Sequence, residues 1–473
     1  MPGRFVLTYD PGMLKEVLST LDQRRDAALS ALKDLLRIPS VSAKKEHAGD
    51  CRRCAQWVAD HLKESGLVVT LMDTGGHPAV VAKNEHKAGR PTVLLYGHYD
   101  VQPPEPLELW TSPAFEPTVR KNSAGVDAVY ARGAVDDKGQ VYAHLEAISA
   151  WQAHGGLPVN LTVLIEGEEE IGSEHLEAFV AKYKDLLRAD IAVISDTGQF
   201  DRGVPALTYG LRGLVYEEMF LTGPSHDLHS GGFGGFAPNP ANVLAKLIAS
   251  LHDESGKVNL PGFYDDVELP TAEETAAWAK LPMNVTREAS AIGIPFDSGE
   301  KGYTALERMW ARPTCDVNGL TSGYQGEGAK TVLPSKASCK VSFRLVPKQD
   351  PRRVRESFRA AMVERCPKNV KIEFVNHGAS PAAVVPIDTA GARAALAAIG
   401  EGFGKEATFI RGGGSIPVVG LIKKELGIDT LLVGYGLPDD RVHSPDEKFD
   451  LDAFYAGIRT SAILYEKLAG LGR

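Results

Sequence analysis

Five short stretches of the chain carry residues that bind metals or move protons, and four of them follow an apolar run. "TVLLYG" (92–97) leads into His98, Tyr99 and Asp100, and "VNLTVLIEGEEEIGS" (159–173) carries Glu166, Glu168, Glu169 and Glu170. "DIAVISD" (190–196) ends at Asp196, and the loop "RVHSPDE" (441–447) beyond "DTLLVGYG" (429–436) contains His443. "YARGAVDDKGQ" (130–140) holds Asp136 at the entrance to a helical pattern. Imidazole and carboxylate without thiolate suit a divalent cation such as zinc or manganese. Taken singly, each residue has a plainer explanation. A lone histidine after a strand is usually a surface or core residue, loop acids are usually solvated, and Asp136 stands where an N-cap is expected. Convergence changes that balance. If the strands are neighbours, two histidines and several acids face one small volume, where their repulsion demands a cation.

The elements that must position these residues can be read from periodicity. Short β-branched runs alternate with helical patterns such as "KGQVYAHLEAISAWQAHG" (138–155). Strands apolar on both faces predict an α/β fold, a mixed-sheet catalytic domain with helices on both faces. In such sheets functional groups collect beyond the carboxyl ends of the strands. A final helix is predicted from about Leu451. The middle differs. From "YGLRGLVYEEMFLTG" onward come alternating strands, the Gly-rich loop "HSGGFGGFAPNPAN", one helix and a further strand pair. This predicts an inserted α+β domain over 208–380, leaving 1–207 and 381–473 as the catalytic domain.

Bulk properties narrow the function classes. At 473 residues two domains are expected. A balance of 52 basic against 61 acidic residues argues against nucleic acid as a partner. The N-terminal stretch through Leu36 reads as amphipathic helix without a signal-peptide core, and no run approaches membrane-spanning length. The five cysteines, Cys51, Cys54, Cys315, Cys339 and Cys366, form an odd, sparse set that suits a reducing compartment, so a cytoplasmic location is expected. Cys51 and Cys54 lie in a helical pattern and read as packed or surface thiols. H-E-x-x-H and G-x-S-x-G are absent, which sets aside a zincin and weakens a serine hydrolase. "GYQGEGAKT" and "GGFGGFA" are too irregular for a P-loop or a dinucleotide loop.

Taken together, "YGHYDVQP", "ARGAVDDKG", "EGEEEIGS", "ISD" and "VHSPDE" resemble the metallopeptidase family of carnosinase, cytosolic nonspecific dipeptidase, aminoacylase and glutamate carboxypeptidase. "YGLRG", "DLHSGGFGG", "GAKTVLP", "FRLVP" and "GGSIPV" resemble its dipeptidase branch, and the likeness covers nearly the whole chain. The resemblance implies two divalent ions per subunit, zinc first, with manganese or cobalt as alternatives. His98 and Asp196 would hold one, Glu170 and His443 the other, and Asp136 would bridge them. Asp100 would orient the imidazole of His98, and Glu169 would be the general base for a water shared by the metals. A cis peptide at Asp136–Asp137 is also implied. Glu168 departs from the apolar residue expected there and is read as facing solvent; Glu166 has no assigned role. In the insert, Arg344 would grip a substrate carboxylate, with Thr331 and Ser415 as neutral donors. His229 would enter the partner subunit's site and polarise the carbonyl oxygen. The implied protein is a homodimer, joined through an insert that also acts as a lid, which hydrolyses dipeptides or short peptides with a free C-terminal carboxylate. Neither nucleic acid nor membrane is an expected partner. An N-acyl-amino-acid amidohydrolase and a non-catalytic metal-dependent binding protein are the alternatives.

Overall fold

The computed structural model describes residues 11–472, which form two compact units. The first takes the chain up to Tyr209, together with Val385–Ile410 and the chain from Leu421 onward. It begins with helices Pro11–Gln23 and Arg25–Leu36; residues 1–10 of the expected amphipathic stretch lie outside the described residues. Six of its strands lie side by side in the order Val68–Met72, Ala79–Lys83, Asn160–Glu166, Thr92–His98, Ile191–Ile194 and Thr430–Leu432. The first two pairings are antiparallel and the last three are parallel, so the sheet is mixed. Four adjacent strands therefore end at the same edge. Asn160–Glu166 is buried at every position, as a strand covered on both faces must be.

Beneath this sheet lies helix Lys138–Ala153, buried over most of its surface, with Trp151 and Tyr142 among the largest enclosed side chains. Its buried polar residues, Lys138, Gln140, His144 and Glu146, each have hydrogen-bond partners, as burial requires. Its first residue, Lys138, is fully buried and donates from Nζ to the carbonyl of Ile38 at 2.6 Å. The final helix runs Leu451–Leu468, from the residue where the sequence predicts it. A small antiparallel sheet pairs Lys448–Asp450 with Asp127–Tyr130, which brings the segment after His443 beside the segment before Asp136. Cys51 and Cys54 are buried, unpaired thiols on helix Ala48–Glu64. No helix among the described residues is long and apolar enough to cross a membrane.

The second unit comprises Gly210–Val384 and Arg411–Gly420. Its antiparallel sheet runs Thr314–Ser322, Lys336–Leu345, Gly213–Thr222, Lys371–Ser380. Val215, Met219, Phe343, Leu244 and Phe358 form the centre of its core, contributed by the sheet and by helices Pro240–Ala249 and Pro351–Arg365. Two features go beyond the sequence reading. The segment Arg411–Gly420, far along the chain from 208–380, packs with this unit. Three short helices, Ala272–Trp278, Val285–Ala291 and Ala305–Trp310, fill the region before the sheet's edge strand. Two of them open with capping boxes, Thr271 with Glu274 and Thr304 with Glu307, a T-x-x-E signal legible in the sequence.

A histidine at the heart of the first unit gives its stability a pH dependence. His144 is buried, with Nε2 2.7 Å from Ser195 Oγ and Nδ1 2.9 Å from Tyr465 OH. The Ser195 hydroxyl donates to the carbonyl of Val433, so it accepts from Nε2–H while Tyr465 donates to Nδ1. Burial pushes His144 from 6.5 down to about 3. Burial, aided by the charge of Arg24, takes His61 down to about 4. Both rings stay neutral in the fold but take up a proton below about 6.5 once unfolded, so acid favours the unfolded chain. Stability from this source is complete above about pH 6.5 and is lost as pH falls toward these lowered values. In urea unfolding of the metal-free chain, His144→Gln is expected to reduce the loss of stability between pH 7 and pH 5 by roughly 2 kcal/mol. Equal losses in the two proteins would contradict this account.

Candidate metal centre

The parallel strands deliver their end residues to one edge. His98 closes its strand opposite Glu166 of the neighbour, and Asp196 follows two residues after Ile194. Beyond Glu166 the chain turns through the short helical segment Glu169–Ile171 and leaves it at Gly172, whose φ of 94° is in the glycine-favoured region. The loop bearing His443 is held under backbone strain, with φ near 60° at Arg441, His443 and Asp446. Asp446 is tied to Thr111 Oγ1 at 2.7 Å and to Arg120 at 2.8 Å, which keeps that loop in register.

All five expected ligands come together in two overlapping sets. The ligand-type atoms of His98, Asp136 and Asp196 lie within 4.8 Å of one another, as do those of Asp136, Glu170 and His443. His98 Nε2 is 3.4 Å from Asp136 Oδ1 and 4.0 Å from Asp196 Oδ1. His443 Nε2 is 2.9 Å from Asp136 Oδ2 and 3.2 Å from Glu170 Oε2. Asp136 thus turns one oxygen toward each set. The N-cap position of the following helix falls to Asp137, whose side chain makes no cap bond; it accepts instead from the N–H of His98 at 3.3 Å. The Asp136–Asp137 peptide is cis.

These residues fit cations. His98 Nδ1 faces the backbone oxygen of Asp100 at 3.1 Å and its carboxylate at 3.4 Å, which leaves Nε2 as the lone-pair nitrogen. That Nε2 is buried, makes no hydrogen bond, and looks at carboxylates. The ionisations tell the same story. Burial, reinforced by the charge of Asp136, pushes Asp196 well above the usual carboxylate range. Burial opposes protonation of His98, yet Asp100 and Asp136 hold its pKa well above the ordinary value. Hydrogen bonds to Asp136 and Glu170 push His443 up to about 10. These shifts have one physical source, several buried acids crowded around two imidazoles, and that is a charge distribution cations would relieve.

Several supporting contacts were not foreseen by the sequence reading. Asp100, expected only to orient His98, also accepts the N–H groups of Glu169 at 3.2 Å and Glu170 at 3.1 Å, and the Ser42 hydroxyl at 2.6 Å. Gln102 donates from its side chain to Glu170 Oε2 at 2.9 Å and from its backbone to Oε1 at 3.2 Å. Glu447 is fully buried and accepts from Arg132 at 2.7 Å and from the N–H groups of Gly133, Val135 and Asp136 at 2.9–3.1 Å. Gln102 and Glu447 both lie within quoted motifs, "HYDVQP" and "VHSPDE", and that proximity is the signal that would have found them. One expectation is corrected. The Glu168 side chain does not face solvent: it is 8% exposed and pairs with His175 Nδ1 at 2.8 Å. Glu166 is also buried, accepting from Tyr96 at 2.5 Å and Ser173 at 2.8 Å, and burial pushes it up to about 7.

The remaining candidates belong to the second unit. His229 pairs with Val332 across a two-residue bridge, which sets it beside Thr331; both are exposed. His229 Nδ1 accepts from the N–H groups of Gly231 at 3.0 Å and Gly232 at 3.3 Å, so the ring proton sits on Nε2. Arg344 Nη1 donates to Ser415 Oγ at 2.8 Å, and that hydroxyl donates onward to the carbonyl of Arg212 at 2.5 Å. Ser415 therefore spends its proton within the protein and holds the guanidinium, where the sequence reading expected a donor toward substrate.

Comparison with known proteins identifies the family. The family model for peptidase family M20/M25/M40 matches residues 94–467. The chain is 32% identical to the Cys-Gly metallodipeptidase DUG1 of Candida albicans, over 96% of this chain and 97% of that protein. It is 31% identical to the human Beta-Ala-His dipeptidase, over 98% of this chain and 94% of that protein. Among solved structures, the dipeptidase Dug1p of Saccharomyces cerevisiae superposes with a TM-score of 0.87 at 28% identity, covering 97% of this chain and 98% of that one.

Because Asp100 holds both an imidazole and the backbone of the acidic turn, Asp100→Asn is expected to weaken zinc binding roughly 10–100-fold. Competition with a chromogenic chelator measures this. Affinity within twofold of wild type would show that the carboxylate does not support the centre.

Proposed function

The chain belongs to peptidase family M20/M25/M40 and to its dipeptidase branch, and on that premise we propose that it hydrolyses dipeptides and short peptides bearing a free C-terminal carboxylate. The observation that carries this reading is the Asp136 carboxylate, with one oxygen toward His98 and the other toward His443. His98 and Asp196 would hold one cation and Glu170 and His443 the other. When bound, the two ions, zinc first and manganese or cobalt as alternatives, would polarise the scissile carbonyl and lower the pKa of a shared water.

Glu169 is the proposed general base, taking a proton from that water at its carboxylate and returning it to the leaving amine. Two observations support this. Its carboxylate accepts no hydrogen bond among the described residues. Burial, with the charges of Asp196 and Glu170, also raises its pKa well above the usual range. His229, with its ring proton on Nε2, suits a donor to the carbonyl oxygen as negative charge develops there. Arg344 suits the C-terminal carboxylate through two parallel bonds, with Ser415 holding its guanidinium and Thr331 as a neutral donor. In this reading the working unit is a homodimer in which His229 serves the partner subunit's site and the second unit acts as the lid. The five unpaired cysteines suit a reducing, cytoplasmic setting.

The relatives' names set the first substrates to try, Cys-Gly and β-Ala-His, alongside N-acetyl amino acids and with each metal restored after chelation. Dipeptides are expected to turn over fastest; faster turnover of N-acetyl amino acids would instead make the protein an amidohydrolase. Glu169→Gln is expected to keep its metal and lose roughly 10²–10⁴-fold in kcat, and near-normal kcat would remove Glu169 as the base. Mixing His229→Ala with Glu169→Gln should restore measurable turnover, because hybrid dimers rebuild one complete site. Failure of dimeric mixtures to recover any rate would refute sharing across subunits.

A further inference from the structure

Four acids crowd the stretch from Glu166 to Glu170, and the proposed function uses only two. The other two share a geometry. Glu166 Oε1 accepts the Ser173 hydroxyl at 2.8 Å, and Glu168 Oε2 meets His175 Nδ1 at 2.8 Å. Each link joins a residue to the one seven positions later, and the two links straddle Glu169 and Glu170. Between them the backbone oxygen of Glu168 accepts the N–H groups of Ile171 at 3.1 Å and Ser173 at 2.8 Å, closing the turn.

Both links are anchored from outside. Glu166 is also fixed by the hydroxyl of Tyr96, on the strand that ends at His98. The Glu168–His175 pair is covered by the Gly75–Gly76 loop. A β-carbon at Gly76 would lie 1.9 Å from Glu168 Oε1 and 2.7 Å from His175 Nδ1, so the loop closes over the pair only because it carries no side chain there. Burying the Glu168 carboxylate disfavours it unless it is paired, and His175 supplies that partner. A solvated acid would need none of this.

We propose that Glu168 with His175, and Glu166 with Ser173, are positioning residues that latch the acidic turn, aiming Glu170 at its metal and Glu169 at the water. This rests on the dipeptidase reading for the role of Glu169, but not for the metal-holding role of the turn. A loosened turn leaves the substrate-binding residues of the second unit untouched, so the defect falls on kcat and metal affinity while KM changes little.

The test uses the full-length protein loaded with zinc. His175→Ala and Ser173→Ala are each expected to lower kcat on a dipeptide about tenfold, with KM within twofold and zinc affinity reduced several-fold in chelator competition. His175→Gln, which keeps a donor for Glu168, should recover most of both losses. Gly76→Ala, whose methyl would push the Glu168–His175 pair apart from a neighbouring loop, should reproduce the His175→Ala defect. A lower thermal midpoint with unchanged kcat and zinc affinity in the folded protein would overturn the proposal, as would a His175→Gln variant no better than His175→Ala. If the wild-type protein bound zinc but cleaved no dipeptide, the proposed function would fail. Zinc affinity would still decide the latches, weakened binding in His175→Ala supporting them and unchanged binding refuting them.

Discussion

One shared carboxylate sets the terms for the first unit. Asp136 faces His98 with one oxygen and His443 with the other, and a side chain serves two opposed partners only if its backbone is held still. Glu447 does that holding: its two oxygens accept from Arg132 and from the N–H groups of Gly133, Val135 and Asp136. Burying a carboxylate costs several kcal/mol unless it is met by charge and donors, and here one guanidinium and three amides meet it. Since Glu447 lies four residues after His443, the same group fixes the loop that carries the opposite ligand. Lys448–Asp450 then enters a sheet beside Asp127–Tyr130. The two segments flanking the centre are therefore built as one piece.

Asp100 plays the matching part on the other side. It orients His98 and, through the same carboxylate, holds the N–H groups of Glu169 and Glu170. A ligand of one set and a ligand of the other thus hang from a common support. Changes here are expected to be non-additive with changes at either metal set, since residues of one hydrogen-bonded network do not act independently. The arrangement also explains why the sheet must be parallel at this point. Asn160–Glu166, Thr92–His98 and Ile191–Ile194 all run the same way, so their following residues emerge at one edge. An antiparallel neighbour would send one of those acids to the far end.

Four of the five ligands were legible in the sequence because each follows an apolar strand, and strands of that kind advertise themselves by composition. The helix after Asp136 was legible from its periodicity, and Asp136 itself only from its place at the entrance to that helix. What was not legible acts through amides. Gln102 is uncharged and belongs to no periodic pattern, and Glu447 finds its partners more than 300 positions away. Hydrogen bonds to backbone N–H groups leave no trace in residue type on the other side. The attachment of Arg411–Gly420 to the second unit is equally silent: Ser415 meets Arg344 and the carbonyl of Arg212 only once the fold exists. Ser415 was recognisable as belonging near Arg344 by resemblance, but not the direction of its proton. Glu168 misled because acid in a turn usually means solvent, and nothing local reveals that His175 and a glycine loop enclose it.

Hydrogen-bond saturation separates the four acids more sharply than burial or charge does. Glu166 is buried with its pKa raised to about 7, which by itself would suit a base, yet Tyr96 and Ser173 both donate to one of its oxygens. Glu168 is bound to His175, and Glu170 takes three bonds from Gln102, two on its carboxylate and one on its backbone carbonyl. Only the carboxylate of Glu169, among the described residues, accepts nothing from the protein while its backbone is held by Asp100. A group that must collect and return a proton needs open lone pairs on a fixed stem, because every donor already bound to it lowers its basicity and must be displaced first. The three acids that already hold donors are thus less suited to the proposed role of base. Glu169 keeps an open carboxylate on a held backbone, as the proposed role requires.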